Sequence, residues 1–206
     1  MHGETDTGEG LRFVSAPATL DLPRPALPGA HQTPNAGMAI AAMLELRDQG
    51  FDIPDSAIAE GLTNAVWPAR MQRLTRGPII DALGEDWEVW LDGGHNAAAG
   101  AAIAEMVRNW DDKPLHIVFG MLNTKAAGDF LAPIAPHVAS ARAIAIPGEE
   151  NSLSAEEAAA FAQDAGISCT PFHSIREAVA ALPTGPARLL ICGSLYLAGT
   201  ILADNQ

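Results

Sequence analysis

Lysine is almost missing from this chain: Lys113 and Lys125 stand alone among 206 residues. Lys113 precedes Pro114 and Lys125 precedes Ala126, so neither completes the G-x-x-x-x-G-K-[ST] loop that wraps nucleotide phosphates. No G-x-G-x-x-G follows a strand pattern, which removes the dinucleotide fingerprint. No His, Cys, Asp and Glu cluster has zinc spacing, and Ser194 lacks the G-x-S-x-G elbow of a hydrolase. Cysteine is equally scarce. Cys169 and Cys192 lie among small or apolar neighbours and read as buried reduced thiols rather than a disulfide framework. No apolar run approaches the ~20 residues that span a bilayer. The polar opening, residues 1–6, lacks the basic and apolar regions of a signal peptide. These absences point to the cytoplasm. Basic charge is short as well: the net charge is −13, which argues against a nucleic-acid or anionic-membrane partner.

What is present describes a globular α/β protein. Hydrophobic residues make up 48% and charged ones 18%, enough to bury a real core. Residues 1–28 carry two short strand-like runs, 11–14 and 19–22, before a proline-rich break. Two strands that short do not fold alone. They read as the tail of a sheet, and unpaired edges and apolar surface are expected there. Pro34 suits a first helical turn, and residues 35–46 are apolar almost all round, which predicts a helix buried on several faces. A short helix over 56–62 then leads to a plausible linker, 63–68.

From about residue 74 the pattern becomes strand–helix alternation. Strands are predicted at 87–91, 115–119, 141–146, 167–170 and 188–191. Between them lie helices with an i, i+3, i+4, i+7 apolar stripe, such as Ile103, Met106, Val107 and Trp110. Ser154 with Glu157, and Ser174 with Glu177, have capping-box spacing. Five strands separated by helices imply a mostly parallel sheet covered on both faces.

Such a sheet gathers its strand-to-helix turns on one edge, where ligands bind. The turn 92–96 follows strand 87–91 and opens a helix, whose first N–H groups favour an anion. Asp92, with two glycines behind it, is either a ligand residue or the partner of its own turn's backbone. His95 and Asn96 are candidates that also suit a helix start, the capping role being the stronger for Asn96. Ser194 beside Gly193 has the same ambiguity. Arg70 is a phosphate ligand or a solvated charge, and Lys125 reads as an exposed loop cation.

The order of these pieces is more specific than any one of them. H-Q-x-x-N-A (31–36), W-P-x-R (67–70), L-D-G-G-H-N (91–96), G-M-L-N-T-K (120–125) and C-G-S (192–194) together resemble the carboxyl half of the dihydrofolate synthase/folylpolyglutamate synthase family, within the Mur ligase superfamily. The resemblance implies a Rossmann-like carboxyl-terminal domain over 65–206, preceded at 1–64 by a remnant of the central ATPase domain. It implies an ATP- and Mg²⁺-dependent ligase, monomeric at full length. That enzyme joins L-glutamate to dihydropteroate or a folate through an acyl phosphate.

Position by position, the resemblance places Asn35, Arg70 and Asp92 against ATP, with Arg70 on phosphate and Asp92 on ribose hydroxyls. It places His95 and Ser194 in the catalytic cleft, and Lys125 and Asn96 on the substrate side. Four departures stand out: Ala69 where the family has Gly, Gly94 for a commoner Ala, Ala126 for Asp, and Tyr196 for a frequent His. The family's P-loop, Mg²⁺ ligands and modified lysine have no counterpart in this sequence. The chain is therefore expected to be the carboxyl-terminal portion of the ligase and inactive alone. The alternative is a free-standing, non-catalytic module that binds a nucleotide or a partner.

Overall fold

A computed structural model describes residues 2–16, 18–123 and 127–205. The chain divides into two compact units, Met1–Pro68 and Ala69–Gln206.

The first unit holds strands β1 (His2–Asp6), β2 (Gly10–Ser15) and β3 (Thr19–Pro23), then helices α1 (Gln32–Asp48) and α2 (Asp55–Asn64). The strands form an antiparallel sheet in the order β1-β2-β3. The two runs expected to lack neighbours are thus β2 and β3, and β2 is paired on both sides. The additional strand, β1, is polar and joins through backbone bonds, which leave no apolar alternation to read. Leu11 and Phe13 point from β2 into a small core with Ala36, Ile40, Ile58 and Leu62.

Helix α1 starts at Gln32 with Pro34 in its first turn, as expected, and it is buried along one stripe only: Gln32, Ala36, Gly37 and Ile40. Met38, on another face, is 67% exposed. The expectation of burial on several faces fails because the strands and α2 of this unit cover a single side.

The second unit begins with β4 (Gln72–Leu74) and α3 (Pro78–Leu83). It continues through β5 (Trp87–Leu91), α4 (Ala97–Val107), β6 (Leu115–Phe119), α5 (Ala127–Leu131), β7 (Val138–Ile144) and α6 (Ala155–Asp164). It ends with β8 (Cys169–Phe172), α7 (Ile175–Ala180), β9 (Ala187–Cys192) and α8 (Leu195–Asp204). The six strands run in the order β4-β5-β9-β6-β7-β8. Every pair is parallel except β4 with β5. This is the expected α/β architecture with one antiparallel edge strand added.

Two cores cover the two faces. One packs α4, α5 and α6 through Ile103, Val107, Phe130, Leu131, Ala158 and Ala162. The other packs α3, α7 and α8 through Ile79, Ala178, Val179, Leu197 and Ile201. The middle strands β6 and β9 are buried at every position, as strands covered on both faces must be. Edge strand β8 tolerates Pro171 because a proline costs a ladder bond only where a neighbour needs one.

Helix α6 has the full predicted capping box: Ser154 Oγ accepts from Glu157 N, and Glu157 Oε2 accepts in return from Ser154 N. In α7 only half of it forms. Ser174 Oγ accepts from Glu177 N at 3.2 Å, with no return bond among the described residues. Cys169 and Cys192 are free and buried. Burial raises the Cys169 thiol to about 11 and drives the Cys192 thiol higher still, so both act as small apolar groups. Among the described residues no helix is long and apolar enough to cross a membrane.

Candidate functional site

The strand order fixes where a site can form. Adjacent strands β5 and β9 send their following helices to opposite faces, α4 into one core and α8 into the other. The parting of these helices marks the carboxyl edge between the two strands as the place for a crevice, the usual ligand position in an open α/β sheet. The turn 92–96 forms one lip of it and residues 193–194 the other. Both lips lead into a helix N-terminus, where free N–H groups favour negative charge.

The loops are laced together by backbone. Asp92 N donates to Ile191 O at 2.9 Å, and Gly193 N donates to Gly94 O at 3.0 Å. Gly193 has φ 100°, and a Cβ there would lie 2.7 Å from Gly120 O. Only glycine permits this approach of two loops. The loop after β6 is tied outward instead: Leu153 N donates to Met121 O at 2.8 Å and Asn123 N to Asn151 O at 2.7 Å.

Asp92 is 2% exposed. One carboxylate oxygen accepts from Gly94 N at 2.6 Å, and the other accepts from Met71 N at 2.8 Å. The second bond reaches across to the segment 69–71. That segment is also held by Gly93 N donating to Ala69 O at 2.8 Å, and by Ala69 N donating to Gln72 Oε1 at 2.9 Å. Ala69 and Met71 both have positive φ, 55° and 39°. Side chains in this left-handed region cost about 1–2 kcal/mol each, so a segment with two of them persists only where its surroundings hold it. Ala69 thus occupies a conformation for which glycine is better suited. Arg70, between the two, is half-buried and has no ion pair among the described residues.

The other predicted residues fall as follows. His95 is exposed, its Nδ1 3.0 Å from Gly93 O. Asn96 is the N-cap of α4, Oδ1 accepting from Ala99 N at 3.0 Å. Ser194 is the N-cap of α8, 2% exposed, Oγ accepting from Tyr196 N at 3.0 Å. Arg70, Asp92, His95, Asn96 and Ser194 therefore meet at one sheet edge. Asn35 belongs to the first unit, where it is exposed and its Nδ2 donates to Gln32 Oε1 at 3.0 Å. Lys125 lies outside the described residues. Sequence reasoning passed over Gln72 and the Met71 N–H. Their part in the site depends on a turn geometry that has no sequence signature.

A family model described as Mur ligase, glutamate ligase domain, matches residues 70–195, from the strained arginine turn to the start of α8. The chain belongs to the Mur ligase family. A probable bifunctional folylpolyglutamate synthase/dihydropteroate synthase of Halobacterium salinarum is 35% identical over 176 residues, covering 82% of this chain and 19% of that protein. A dihydrofolate synthase/folylpolyglutamate synthase of Bacillus subtilis is 30% identical over 120 residues, covering 57% of this chain and 26% of that protein. Among solved structures, E. coli FolC in complex with DHPP and ADP superposes with a TM-score of 0.77 at 24% identity, over 98% of this chain and 45% of that one. The chain thus spans less than half the length of each of these proteins and corresponds to their carboxyl-terminal portion. Its relatives are ligases.

Proposed function

We propose that this chain is the glutamate-ligase part of an ATP-dependent ligase that joins L-glutamate to dihydropteroate or a folate. The observation that carries the reading is Arg70: a half-buried guanidinium with no ion pair among the described residues, on a strained turn at the crevice edge. Two helix N-termini face the same edge. A planar fork of N–H donors among backbone N–H groups suits a phosphate. ATP would supply the phosphoryl group that turns a carboxylate, a poor acylating agent, into an acyl phosphate open to attack by the glutamate amine.

In this reading residues 65–206 are the carboxyl-terminal domain and residues 1–64 are part of the central domain. Arg70 neutralises phosphate charge, and Asn35 contributes to the nucleotide side. His95, exposed beside Gly93, meets the reacting groups. Asn96 and Lys125 serve the substrate side. Ser194 shapes the crevice chiefly as the cap that fixes α8. The Mg²⁺ ligands and the phosphate-wrapping loop belong to a part of the ligase that this chain does not contain.

Two measurements test this. In ¹⁵N NMR, ATP should shift the amides of residues 70–71, 93–95 and 193–194; shifts confined to other surfaces would remove the site. The chain alone should release no ADP from ATP, glutamate and dihydropteroate. Adding the amino-terminal portion of the Halobacterium salinarum relative should restore pterin-dependent ADP release. Failure of two folded portions to do so would favour a non-catalytic binding module.

A further inference from the structure

The resemblance puts Asp92 on the nucleotide ribose, and its nearly buried carboxylate also accepts a backbone N–H on each oxygen. One of those donors is Met71, which immediately follows Arg70 and stands at φ 39°. We infer that Asp92 is a positioning residue: its carboxylate clamps the strained turn 69–71 to the loop after β5 and so aims the Arg70 guanidinium into the crevice as an anion receptor. The inference rests on the proposed function only in taking the Arg70 ligand to be a phosphate chain.

The geometry supports the role at both ends. Gly94 N and Met71 N approach opposite oxygens, so the carboxylate is oriented by the turn that bears it and transmits that orientation across 21 residues of sequence. The neighbouring bonds from Gly93 N to Ala69 O and from Ala69 N to Gln72 Oε1 fix the near side of the turn. Left-handed residues on both sides of Arg70 mean that the relaxed backbone would point its side chain elsewhere. Charge-assisted bonds from backbone N–H to carboxylate are the stronger kind, which suits a clamp working against strain.

The test is an NMR titration of the full chain with inorganic tripolyphosphate, which has no ribose, and separately with adenosine, which has no phosphate. The chains compared are wild type, Asp92→Asn, Arg70→Ala, the double variant, and Gln72→Ala. The two N–H groups approach opposite oxygens and an amide keeps only one, so Asp92→Asn should weaken tripolyphosphate about tenfold, the size of one lost charge-assisted bond. Tripolyphosphate carries no ribose, so a ribose contact of Asp92 alone could not produce this loss. The double variant should bind no more weakly than Arg70→Ala, because Asp92 acts through that side chain. Gln72→Ala loosens the same turn without touching Asp92 and should weaken tripolyphosphate in the same direction, which decides the matter if Asp92→Asn does not fold. Tripolyphosphate retained by Asp92→Asn with adenosine lost confines Asp92 to the ribose and overturns the inference, as do additive effects of the two single variants. Wild type that ignores tripolyphosphate removes the anion receptor itself, and with it both readings. Wild-type binding that Asp92→Asn and Gln72→Ala leave intact removes only the positioning role.

Discussion

Glu88 and Arg188 stand opposite each other in the register of β5 and β9, and Arg188 Nε donates to Glu88 at 3.0 Å. The same guanidinium forks onto Asp112 at 2.7 and 3.1 Å and lies 5.0 Å over the Trp110 ring. Lys113 donates to the other Glu88 oxygen at 2.8 Å. Arg188 is buried while Asp112 is largely exposed, so the stabilisation rests mainly on Glu88 and on stacking. Replacing Arg188 by Ala should destabilise the second unit by about 2 kcal/mol, because half-buried Glu88 is left with Lys113 alone and the stack on Trp110 is lost. Arg188→Lys, which keeps charge but loses the fork and the stack, should cost roughly half of that.

The same cluster carries a pH signature. The bond from Lys113, joined by Arg188, holds Glu88 below its ordinary value of 4.5, and the bond from Arg188 holds Asp112 below 3.8. A carboxyl lowered in the folded state stabilises fully above its ordinary value, and that contribution disappears as pH falls through the lowered one. The stability gap between wild type and Arg188→Ala in urea should therefore narrow between about pH 5 and pH 3. A gap that is constant over this window would assign the effect to packing alone.

His116 provides a second titration, nearer neutrality. It lies in β6, its Nδ1 2.8 Å from Ser140 Oγ and its ring 5.8 Å from that of Trp87. Burial, helped by the positive charge of Arg142, pushes its pKa below 6.5. Below that ordinary value the unfolded chain takes up a proton that the folded site refuses, so stability drops as pH falls toward the lowered value. In His116→Phe, which keeps a ring against Trp87, stability should depend less on pH between about 7.5 and 5.5 than in wild type. Equal slopes would mean that His116 takes up its proton as readily in the folded protein as in the unfolded chain.

The parts of the fold that could be read from sequence are those whose physics is local. The all-buried runs of β6 and β9, the apolar stripe of α4 and the capping spacing at Ser154 each leave a pattern within a dozen residues. Strand β4 shows no such pattern, since it is three residues long with only Leu74 buried. Helix α3 covers barely two turns, and β1 pairs through backbone alone. The site divides in the same way. Asp92 at a strand end and Asn96 at a helix start follow from position. The bond from Met71 to Asp92, and the left-handed Ala69 and Met71, come from long-range packing that no spacing encodes.

The close approach of two loops makes a paired test on glycine. At Gly193, φ 100° and a carbonyl 2.7 Å from the would-be Cβ leave an alanine no relaxed position, because the obstacle is backbone. Gly193→Ala should destabilise by about 2–4 kcal/mol. Gly199, inside α8, has nothing within 4 Å of the same point. Gly199→Ala should stabilise by about 0.5–1 kcal/mol, through helix propensity and a less flexible unfolded chain. Thermal unfolding of the two variants beside wild type should shift the midpoint in opposite directions. A stabilised Gly193→Ala would mean that the loops after β6 and β9 are not in contact in solution.

Asn96 separates a structural role from a ligand role. Its Oδ1 caps Ala99 N, which an alanine at position 96 cannot do, so Asn96→Ala should cost about 1 kcal/mol of stability. Asn96→Asp is different: a carboxylate caps as well as the amide does and interacts favourably with the helix N-terminus. Its stability should equal or slightly exceed that of wild type in denaturant melts. The added negative charge, however, stands at the helix start that the proposed function turns toward a phosphate or a substrate carboxylate. Asn96→Asp should therefore weaken ATP or tripolyphosphate binding several-fold at low salt, with the difference shrinking as salt screens the charges. If it binds these anions as tightly as wild type while remaining as stable, Asn96 is a cap and nothing more, and the anion lies farther along the edge toward Arg70.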